Sequence, residues 1–119
     1  MLNYRDHDLW KTAMDMVENV YLLTDTFPKH EAHGLTEELR RAAVSIPSKI
    51  AEGCTLMSNE DSVRFFEQAL GSCFVVETHF EIAKRRRYIP SGIFDGIMQM
   101  LEMLEGLLRK IITKFKEIE

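Results

Sequence analysis

The side chains best suited to chemistry in this sequence are its histidines, its cysteines and a few carboxylates. The chain of 119 residues contains four histidines and two cysteines. The segment KHEAHG places His30 and His33 on either side of Glu31, but this is not the HExxH spacing of zinc enzymes. No glutamate in the chain has a histidine three positions later, which is the spacing that di-iron helical bundles use. Cys54 and Cys73 show no metal-ligand spacing either, so we expect neither a metal nor a cofactor.

Motifs for covalent catalysis and for phosphate binding are also missing from the sequence. It contains no Gly-rich phosphate loop and no nucleophile elbow. Cys54 lies near a predicted helix end, where a thiolate can be stabilised, but no histidine is close to it in sequence to activate it. We therefore expect a protein that is not an enzyme.

Four helices are predicted to position these side chains. Apolar residues recur at steps of three and four in four segments, and almost no window alternates as a strand would. The segments run from about Asp6 to about Phe27, from Thr36 to Gly53, from Ser58 to Arg87, and from Ser91 to the C-terminus. Thr36 and Ser58, each followed by acidic residues, are the predicted N-caps of the second and third segments. Because only short breaks separate them, the predicted fold class is all-α, an up-down-up-down four-helix bundle that forms one domain over residues 1–119.

The overall charge argues against a general polyanion-binding protein. The formal net charge is −4 at pH 7, whereas phosphate binding depends on an excess of lysine and arginine. The N-terminal residues are too polar for a signal peptide, and no apolar run approaches the length of a membrane span. We expect a cytoplasmic protein with reduced thiols and no membrane partner.

The fourth helix carries more apolar residues than one core-facing stripe needs. Its seam consists of Ile97, Leu101, Leu104, Leu108, Ile111, Phe115 and Ile118, with Phe94, Met98 and Ile112 on one flank and Met100, Met103 and Leu107 on the other. The apolar arc is roughly 200° wide, against about 100° for an ordinary amphipathic helix. Either the helix is deeply buried, or Met100, Met103 and Leu107 contact copies of the chain in a closed homo-oligomer, which is the interpretation we favour.

The second helix carries a polar stripe opposite its apolar face. Arg41, Ser45, Ser48 and Glu52 lie within about 60° of one another on a helical wheel. The helix also contains Pro47, which removes a backbone donor and predicts a kink. The stripe is either a solvated outer face or, because serine is a weak helix former whose small size allows close approach, a face that contacts another molecule.

Glu77 lies close to the apolar stripe of the third helix, which is unusual for a carboxylate. A buried carboxylate needs a cationic or hydrogen-bonding partner. We expect an ion pair with Arg40 or Arg41 of the second helix, with simple exposure of Glu77 or a catalytic carboxylate as the alternatives.

The segment KRRRY closes the third helix with four cations, Lys84, Arg85, Arg86 and Arg87. Cations at this end complement the helix dipole, which is sufficient to explain them. Alternatively, the patch binds RNA, and several copies in a ring would strengthen that binding through multivalency.

Several longer segments together resemble a known family. YRDHDLWKTA, VYLLTDTFPKHEAHGLTEELRRAAVSIPSKIAEG and RFFEQALGS…ET, within residues 4 to about 90, are similar to the four-helix-bundle family first noticed in intervening sequences of bacterial 23S ribosomal RNA genes. The resemblance implies a left-handed bundle and closed rings, most often pentamers, but no defined biochemical role. Similar bundles are the basic accessory variability proteins of diversity-generating retroelements, which bind a reverse transcriptase and nucleic acid.

This sequence departs from the family pattern where positive charge is usual. Glu60 stands where lysine is frequent in the family, and Leu56 and Met57 replace a glycine and basic residues with an apolar tip. We therefore expect a non-enzymatic homo-oligomeric scaffold or adaptor, with a pentamer as the expected assembly. The alternative is an RNA-binding ring linked to ribosomal RNA or to a retroelement reverse transcriptase. A third interpretation is a small-molecule or metal site between helices, which predicts a bound ligand in the purified protein.

Overall fold

The computed structural model describes residues 3–117, and four α-helices account for most of them. The helices are α1 (Asp8–Thr24), α2 (Leu35–Thr55), α3 (Asn59–Arg85) and α4 (Ser91–Glu117), with short 3-10 helices at Tyr4–Asp6 and Lys29–Glu31. No strand occurs within this part of the chain, so the predicted all-α fold class is confirmed. Ile118, which the sequence places at the end of the α4 seam, lies outside the described residues.

The helices pack as an antiparallel ring in which α1 contacts both α2 and α4. Side chains join the neighbouring helices along each seam, and the two seams with two such pairs, α2–α3 and α3–α4, pair in opposite chain directions. The pairs are Thr24–Arg40 for α1–α2, Glu38–His79 and Ser45–Ser72 for α2–α3, Phe66–Phe115 and Lys84–Phe94 for α3–α4, and Asn19–Met100 for α1–α4. This arrangement is the predicted up-down-up-down order.

Helix ends follow local capping interactions, and one of them differs from its prediction. The Ser58 hydroxyl accepts a hydrogen bond from the Asp61 N–H at 3.1 Å, which confirms Ser58 as the cap of α3. The predicted cap of α2, Thr36, is wrong: Thr36 is buried inside the first turn. Instead, the Glu31 carboxylate reaches forward from the preceding 3-10 helix and accepts from the Leu35 N–H at 3.1 Å.

Large apolar side chains from all four helices fill one core. The most deeply buried ones include Leu9, Met16, Leu39, Ile46, Ile50, Phe66, Phe80, Leu101, Leu104 and Leu108. The α2–α3 seam is closely packed at Gly53, where an added Cβ would lie 2.5 Å from Cε1 of Phe66. Glycine at position 53 therefore allows α2 to lie directly on the Phe66 ring.

The wide apolar arc of α4 is used mostly inside the bundle. Phe94 and Ile112 are buried, and Met100 and Leu107 are partly buried against the core, whereas Met103 is 57 % exposed. The arc is wide because α4 faces both α1 and α3. Of the three residues predicted to contact other copies, only Met103 is therefore an exposed apolar side chain.

Across residues 3–117, no helix combines the length and the hydropathy that a membrane crossing requires.

Candidate functional site

An apolar groove runs along the surface between α1 and α2. This α1–α2 groove has a volume of about 320 Å³ and is lined by Tyr4, Trp10, Met14, Val17, Val44, Pro47, Ser48 and Ala51. Steps of three and four along both helices bring these side chains to one seam. Val44 is 41 % exposed and Met14 is 37 % exposed, so part of the apolar lining faces solvent. Such a surface is typical of a protein contact.

The groove ends at a cluster of charged side chains near the α1–α2 turn. The Arg40 guanidinium lies over the Tyr21 ring at 4.6 Å, and donates to Asp25 Oδ1 and Thr24 Oγ1, both at 2.8 Å. Tyr21, Arg40 and Val44 also line a second cavity, of about 380 Å³, which continues the α1–α2 groove. The seam is thus apolar along most of its length and ionic at one end.

The predicted polar stripe of α2 does not form one surface. The Ser45 hydroxyl donates to the Ala42 carbonyl at 2.6 Å and bonds the Ser72 hydroxyl of α3 at 2.8 Å, so it belongs to the α2–α3 seam. Ser48 instead lines the α1–α2 groove. The other two members, Arg41 and Glu52, are exposed.

Pro47 is buried within a continuous α2, where it lines the α1–α2 groove. Its missing N–H leaves the Ala43 carbonyl without its helical donor. The two neighbouring serines do not supply that donor: the Ser48 hydroxyl donates to the Val44 carbonyl, and the Ser45 hydroxyl donates to the Ala42 carbonyl. Pro47 therefore contributes apolar surface to the groove at the cost of one helical hydrogen bond.

Two carboxylates meet at the α3–α4 seam, and sequence analysis identified only one of them. Glu105 of α4 is 5 % exposed, and it lies within hydrogen-bonding reach of Glu77 of α3. When both are ionised, Oε2 of each is buried without a partner among the described residues. Burial, followed by the hydrogen bond and the charge of Glu77, raises the pKa of Glu105 to about 8. Below that pH Glu105 is protonated and its hydroxyl donates to the Glu77 carboxylate; we call these two side chains the carboxylate pair.

The predicted ion pair of Glu77 with Arg40 or Arg41 is not formed in the structure. Arg40 binds Asp25 on the α1 side of α2, and the Arg41 guanidinium lies 3.0 Å from the Glu37 carboxylate one turn earlier. Both arginines therefore have nearer partners on their own side of the bundle, whereas Glu77 faces α4. The prediction is corrected: the partner of Glu77 is Glu105, a like charge.

A sequence signal for Glu105 exists in the α4 seam. Glu105 lies four residues after Leu101 and three before Leu108, both of which are core residues. That position places its side chain on the apolar face of the helix. The contact between Glu105 and Glu77 also depends on the register of α3 against α4. That register is a long-range property, and the apolar periodicity of one helix does not predict it.

The basic end of α3 is exposed and held in a defined turn. The Tyr88 N–H donates to the Ala83 carbonyl and the Arg87 N–H to the Lys84 carbonyl, both at 2.9 Å, which is a Schellman arrangement. Arg87 occupies the left-handed position, with a φ of 62°, where glycine is usual. The Lys84 ammonium lies 4.5 Å from the Phe94 ring. Within residues 3–117, none of the four cations at 84–87 lies within 4.0 Å of a carboxylate oxygen.

Glu31 connects this basic end to the α1–α2 turn. Its carboxylate accepts from the Leu35 N–H and from the Tyr88 hydroxyl, the latter at 2.9 Å. These two bonds, in that order of importance, lower the pKa of Glu31. The KHEAHG segment is therefore part of the packing between two turns, since the His30 ring also contacts Tyr88 edge-on. Within the described residues, no three His, Cys, Asp or Glu side chains are placed to hold a metal.

The two cysteines are buried and free. Burial raises the pKa of Cys73 to about 12, with the charges of Glu105 and Glu77 adding to the effect, and burial also raises the pKa of Cys54. A raised thiol pKa disfavours the thiolate, which is the nucleophile and the metal ligand. Neither cysteine is an activated thiol in this structure.

Comparison with known proteins gives one family and one fold. The model of the 23S rRNA-intervening sequence protein family matches residues 5–110. No curated protein matches the chain. Among solved structures, the chain is similar to a protein of unknown function from Bacteroides thetaiotaomicron, described as a member of the S23 ribosomal protein family. The TM-score is 0.81 at 19 % identity over 87 % of this chain and 97 % of that chain, and at this identity the likeness concerns the fold.

Proposed function

The chain belongs to the 23S rRNA-intervening sequence protein family, and from that premise we propose that it is a non-enzymatic scaffold that assembles with copies of itself. The bundle carries a groove suited to contact with protein, and neither cysteine is activated. The pentamer implied by the family resemblance is the expected assembly.

The observation that carries the proposal is the exposed α1–α2 groove. A lone chain would leave part of this apolar lining, including Val44 and Met14, in water, and each buried Å² of apolar surface contributes roughly 25 cal/mol. We infer that the surface that enters the groove is on the chain itself. Met57, in the α2–α3 turn, is 99 % exposed and forms an apolar tip.

The tip and the groove suggest how copies would join. Met57 follows the C-terminal end of α2, and the groove is lined at the same end of the bundle by Ala51 and Trp10. The tip and the groove are different surfaces, so a contact in which Met57 of one copy enters the groove of the next is head-to-tail. Head-to-tail contacts close into rings when the rotation between copies allows it.

Native mass spectrometry of the wild type, Val44→Glu and Met57→Ser tests the proposal at micromolar concentration. We expect a single oligomer for the wild type, monomer for Val44→Glu because a charge enters the apolar contact, and a weakened oligomer for Met57→Ser. Met103→Ser separates this contact from the α4 contact predicted from the sequence, since Met103 is the exposed residue of that predicted set. An assembly equal to that of the wild type assigns the contact to the α1–α2 groove, whereas a dissociated assembly assigns it to α4 and contradicts the groove. A monomeric wild type, or an unchanged mass for Val44→Glu, would contradict the scaffold.

RNA binding is the second candidate function, and the basic end of α3 favours it. Its cations have no carboxylate partner within 4.0 Å among the described residues, and Arg87 keeps a strained backbone position that glycine would relieve. Filter binding of a structured RNA at about 50 and about 200 mM potassium chloride tests this candidate, since phosphate contacts predict a steep loss of affinity with salt. Binding that is absent, that does not depend on salt, or that survives replacement of Arg85, Arg86 and Arg87 by serine would exclude it.

A further inference from the structure

The outward face of α3 carries a second apolar stripe, which the proposed head-to-tail contact does not use. Phe74 and Val75 are each 44 % exposed and Ile82 is 43 % exposed. Together with Gly71 and Thr78, these residues recur at steps of three and four, so they follow one another along one side of the helix. At the rise of an α-helix, the stripe is about 17 Å long. We call these five residues the α3 stripe.

The α3 stripe is open along its length. Gly71 and Thr78 are exposed, and a Cβ at Gly71 would have no neighbour within 4 Å. The Arg109 guanidinium of α4 borders the stripe, 6.0 Å from the centre of the Phe74 ring. Apolar side chains at helical spacing, with an open glycine among them, are typical of the seam between two helices. The stripe is therefore suited to contact with a second helix.

Charged side chains of opposite sign lie at the two ends of the α3 stripe. Glu67 lies one turn before Gly71, and Arg85 lies three residues after Ile82. On a helical wheel, both lie within about 20° of Thr78, which is in the middle of the stripe. The stripe is thus acidic at its N-terminal end, apolar along its middle and basic at its C-terminal end.

Both of these charges are available to another molecule. Within residues 3–117, Arg85 has no carboxylate oxygen within 4.0 Å. Glu67 lies 3.7 Å from the Lys116 ammonium, but more than half of each side chain is exposed, and such a pair contributes little. Arg64, three residues before Glu67, has its guanidinium 3.2 Å from the Asp61 carboxylate. An order of charges that runs from negative to positive is complementary to a copy of itself that runs the other way.

We propose that the α3 stripe is a self-contact, in which two copies of the chain pair antiparallel through α3 about a two-fold axis level with Val76. This register places Glu67 of one copy opposite Arg85 of the other. It also places Gly71 beside Ile82, whose side chain occupies the open space at the glycine. A contact about a two-fold axis occurs twice, so each dimer gains the ion pair at both ends of the stripe. The self-complementary order of charges is the observation that favours a second copy over an unrelated protein.

The same register brings a second pair of opposite charges together on the α4 side of the stripe. The Arg109 guanidinium lies there beside Phe74, and Glu81 lines a groove of about 330 Å³ on the same side, between α3 and α4. Because the two-fold axis exchanges the ends of the stripe, Arg109 of one copy comes towards Glu81 of the other. The charge of Arg109 also acts on Glu105 of its own chain. Within residues 3–117, however, neither Arg109 nor Glu81 has an ion-pair partner within 4.0 Å.

The contact through α3 is expected to be weak. A stable interface covers roughly 800 Å² on each partner, and one stripe about 17 Å long on a single helix offers less. We therefore expect a dissociation constant on the order of 100 µM. At micromolar concentration the native mass then reports the α1–α2 groove alone. The inference rests on the proposed function only in that the partner is a copy of the chain, since the stripe and the groove are different surfaces.

Sedimentation velocity of Val44→Glu between about 5 and about 500 µM tests the α3 stripe, because this variant is expected to be a monomer at the lower concentration. We expect a monomer–dimer equilibrium. Glu67→Arg or Arg85→Glu, added to Val44→Glu, should each weaken the dimer at least tenfold, because two attractive pairs become repulsive. Both changes together restore opposite signs, and they should return the affinity to within about threefold of that of Val44→Glu.

Leu22→Ser, also added to Val44→Glu, is the matched control. Leu22 is 66 % exposed on α1, which contacts α2 and α4, and its replacement should leave the dimer unchanged. Three results would overturn the contact through α3: a monomer at every concentration, a dimer that the single charge reversals do not weaken, and a double reversal as weak as the single ones.

The failure of the α1–α2 groove has a different signature. An oligomer of Val44→Glu at about 5 µM would contradict the groove, and the charge exchange in the wild type would then decide the α3 stripe. There, Glu67→Arg and Arg85→Glu should each dissociate the assembly, and the two together should restore it. An assembly that ignores the exchange would exclude the stripe as its contact.

Discussion

The α1–α2 seam and the α3–α4 seam lie on opposite sides of the same bundle. Each holds side chains in an unfavourable environment, but the two environments are opposite. The α1–α2 groove leaves apolar side chains in water, whereas the α3–α4 seam takes the Glu105 side chain and one carboxylate oxygen of Glu77 out of water. An apolar groove accepts any apolar surface of suitable shape, and its contribution does not depend on pH. The energy of the carboxylate pair, in contrast, changes with protonation, because the pKa of Glu105 is raised. One chain thus presents an apolar surface suited to assembly and a polar seam whose stability depends on pH.

The largest effect should come from titrating the carboxylate pair. Because the pKa of Glu105 is raised to about 8, the folded chain binds more protons than the unfolded chain between about pH 4.5 and about pH 8. Stability from this group is complete below about pH 4.5 and is lost as the pH rises through about 8. We expect the free energy of unfolding to fall by about 2–4 kcal/mol across this range through the pair. Urea unfolding at several pH values measures it.

Glu105→Gln isolates that contribution from the other titrating groups. Its curve of stability against pH should be flatter than that of the wild type, and the two should diverge most between about pH 5 and about pH 8. Glu31 titrates in the opposite sense, because its pKa is lowered, and it is present in both proteins. Parallel curves for the two proteins would show that Glu105 is solvated in the folded chain. The α3–α4 seam would then differ from the α1–α2 seam neither in burial of charge nor in pH dependence.

The α2–α3 seam, which lies between the other two, supplies the next prediction. Gly53→Ala should destabilise the chain by about 1–3 kcal/mol, because the added Cβ would lie 2.5 Å from a ring atom of Phe66. Gly71→Ala is the matched control, since a Cβ at position 71 has no neighbour within 4 Å. It should stabilise α3 by up to about 1 kcal/mol through helix propensity. Thermal unfolding of both variants gives the comparison, and equal effects would mean that the α2–α3 seam is not closely packed.

The features that sequence analysis predicted correctly are local ones. Apolar periodicity identified the four helices, and the Ser58 cap followed from a hydroxyl three residues before an acidic side chain. The cap of α2 was missed because its acceptor, Glu31, lies outside the helix and depends on the path of the turn.

The features that sequence analysis missed depend on how helices lie against one another. The width of the α4 arc was correct, but periodicity does not reveal that α1 and α3 would cover most of it. Glu77 was recognised as unusual, whereas its partner required the register of α3 against α4. The polar stripe of α2 divided for the same reason, since Ser45 and Ser48 face different neighbours.

The smallest effect on the folded chain should come from Val44→Ser in the α1–α2 groove. Val44 is partly exposed, and serine has a similar helix propensity, so the free energy of unfolding of the separate chain should change by less than about 0.5 kcal/mol. The assembly is different, because binding of copies stabilises the folded state in proportion to the logarithm of their concentration. The melting temperature of the wild type should therefore rise with protein concentration, while that of Val44→Ser rises less. Melting curves over a hundredfold range of concentration measure the difference in melting temperature between the two proteins. A difference that does not change with concentration would show that Val44 acts only within the separate chain, and that no copy of the chain binds the α1–α2 groove.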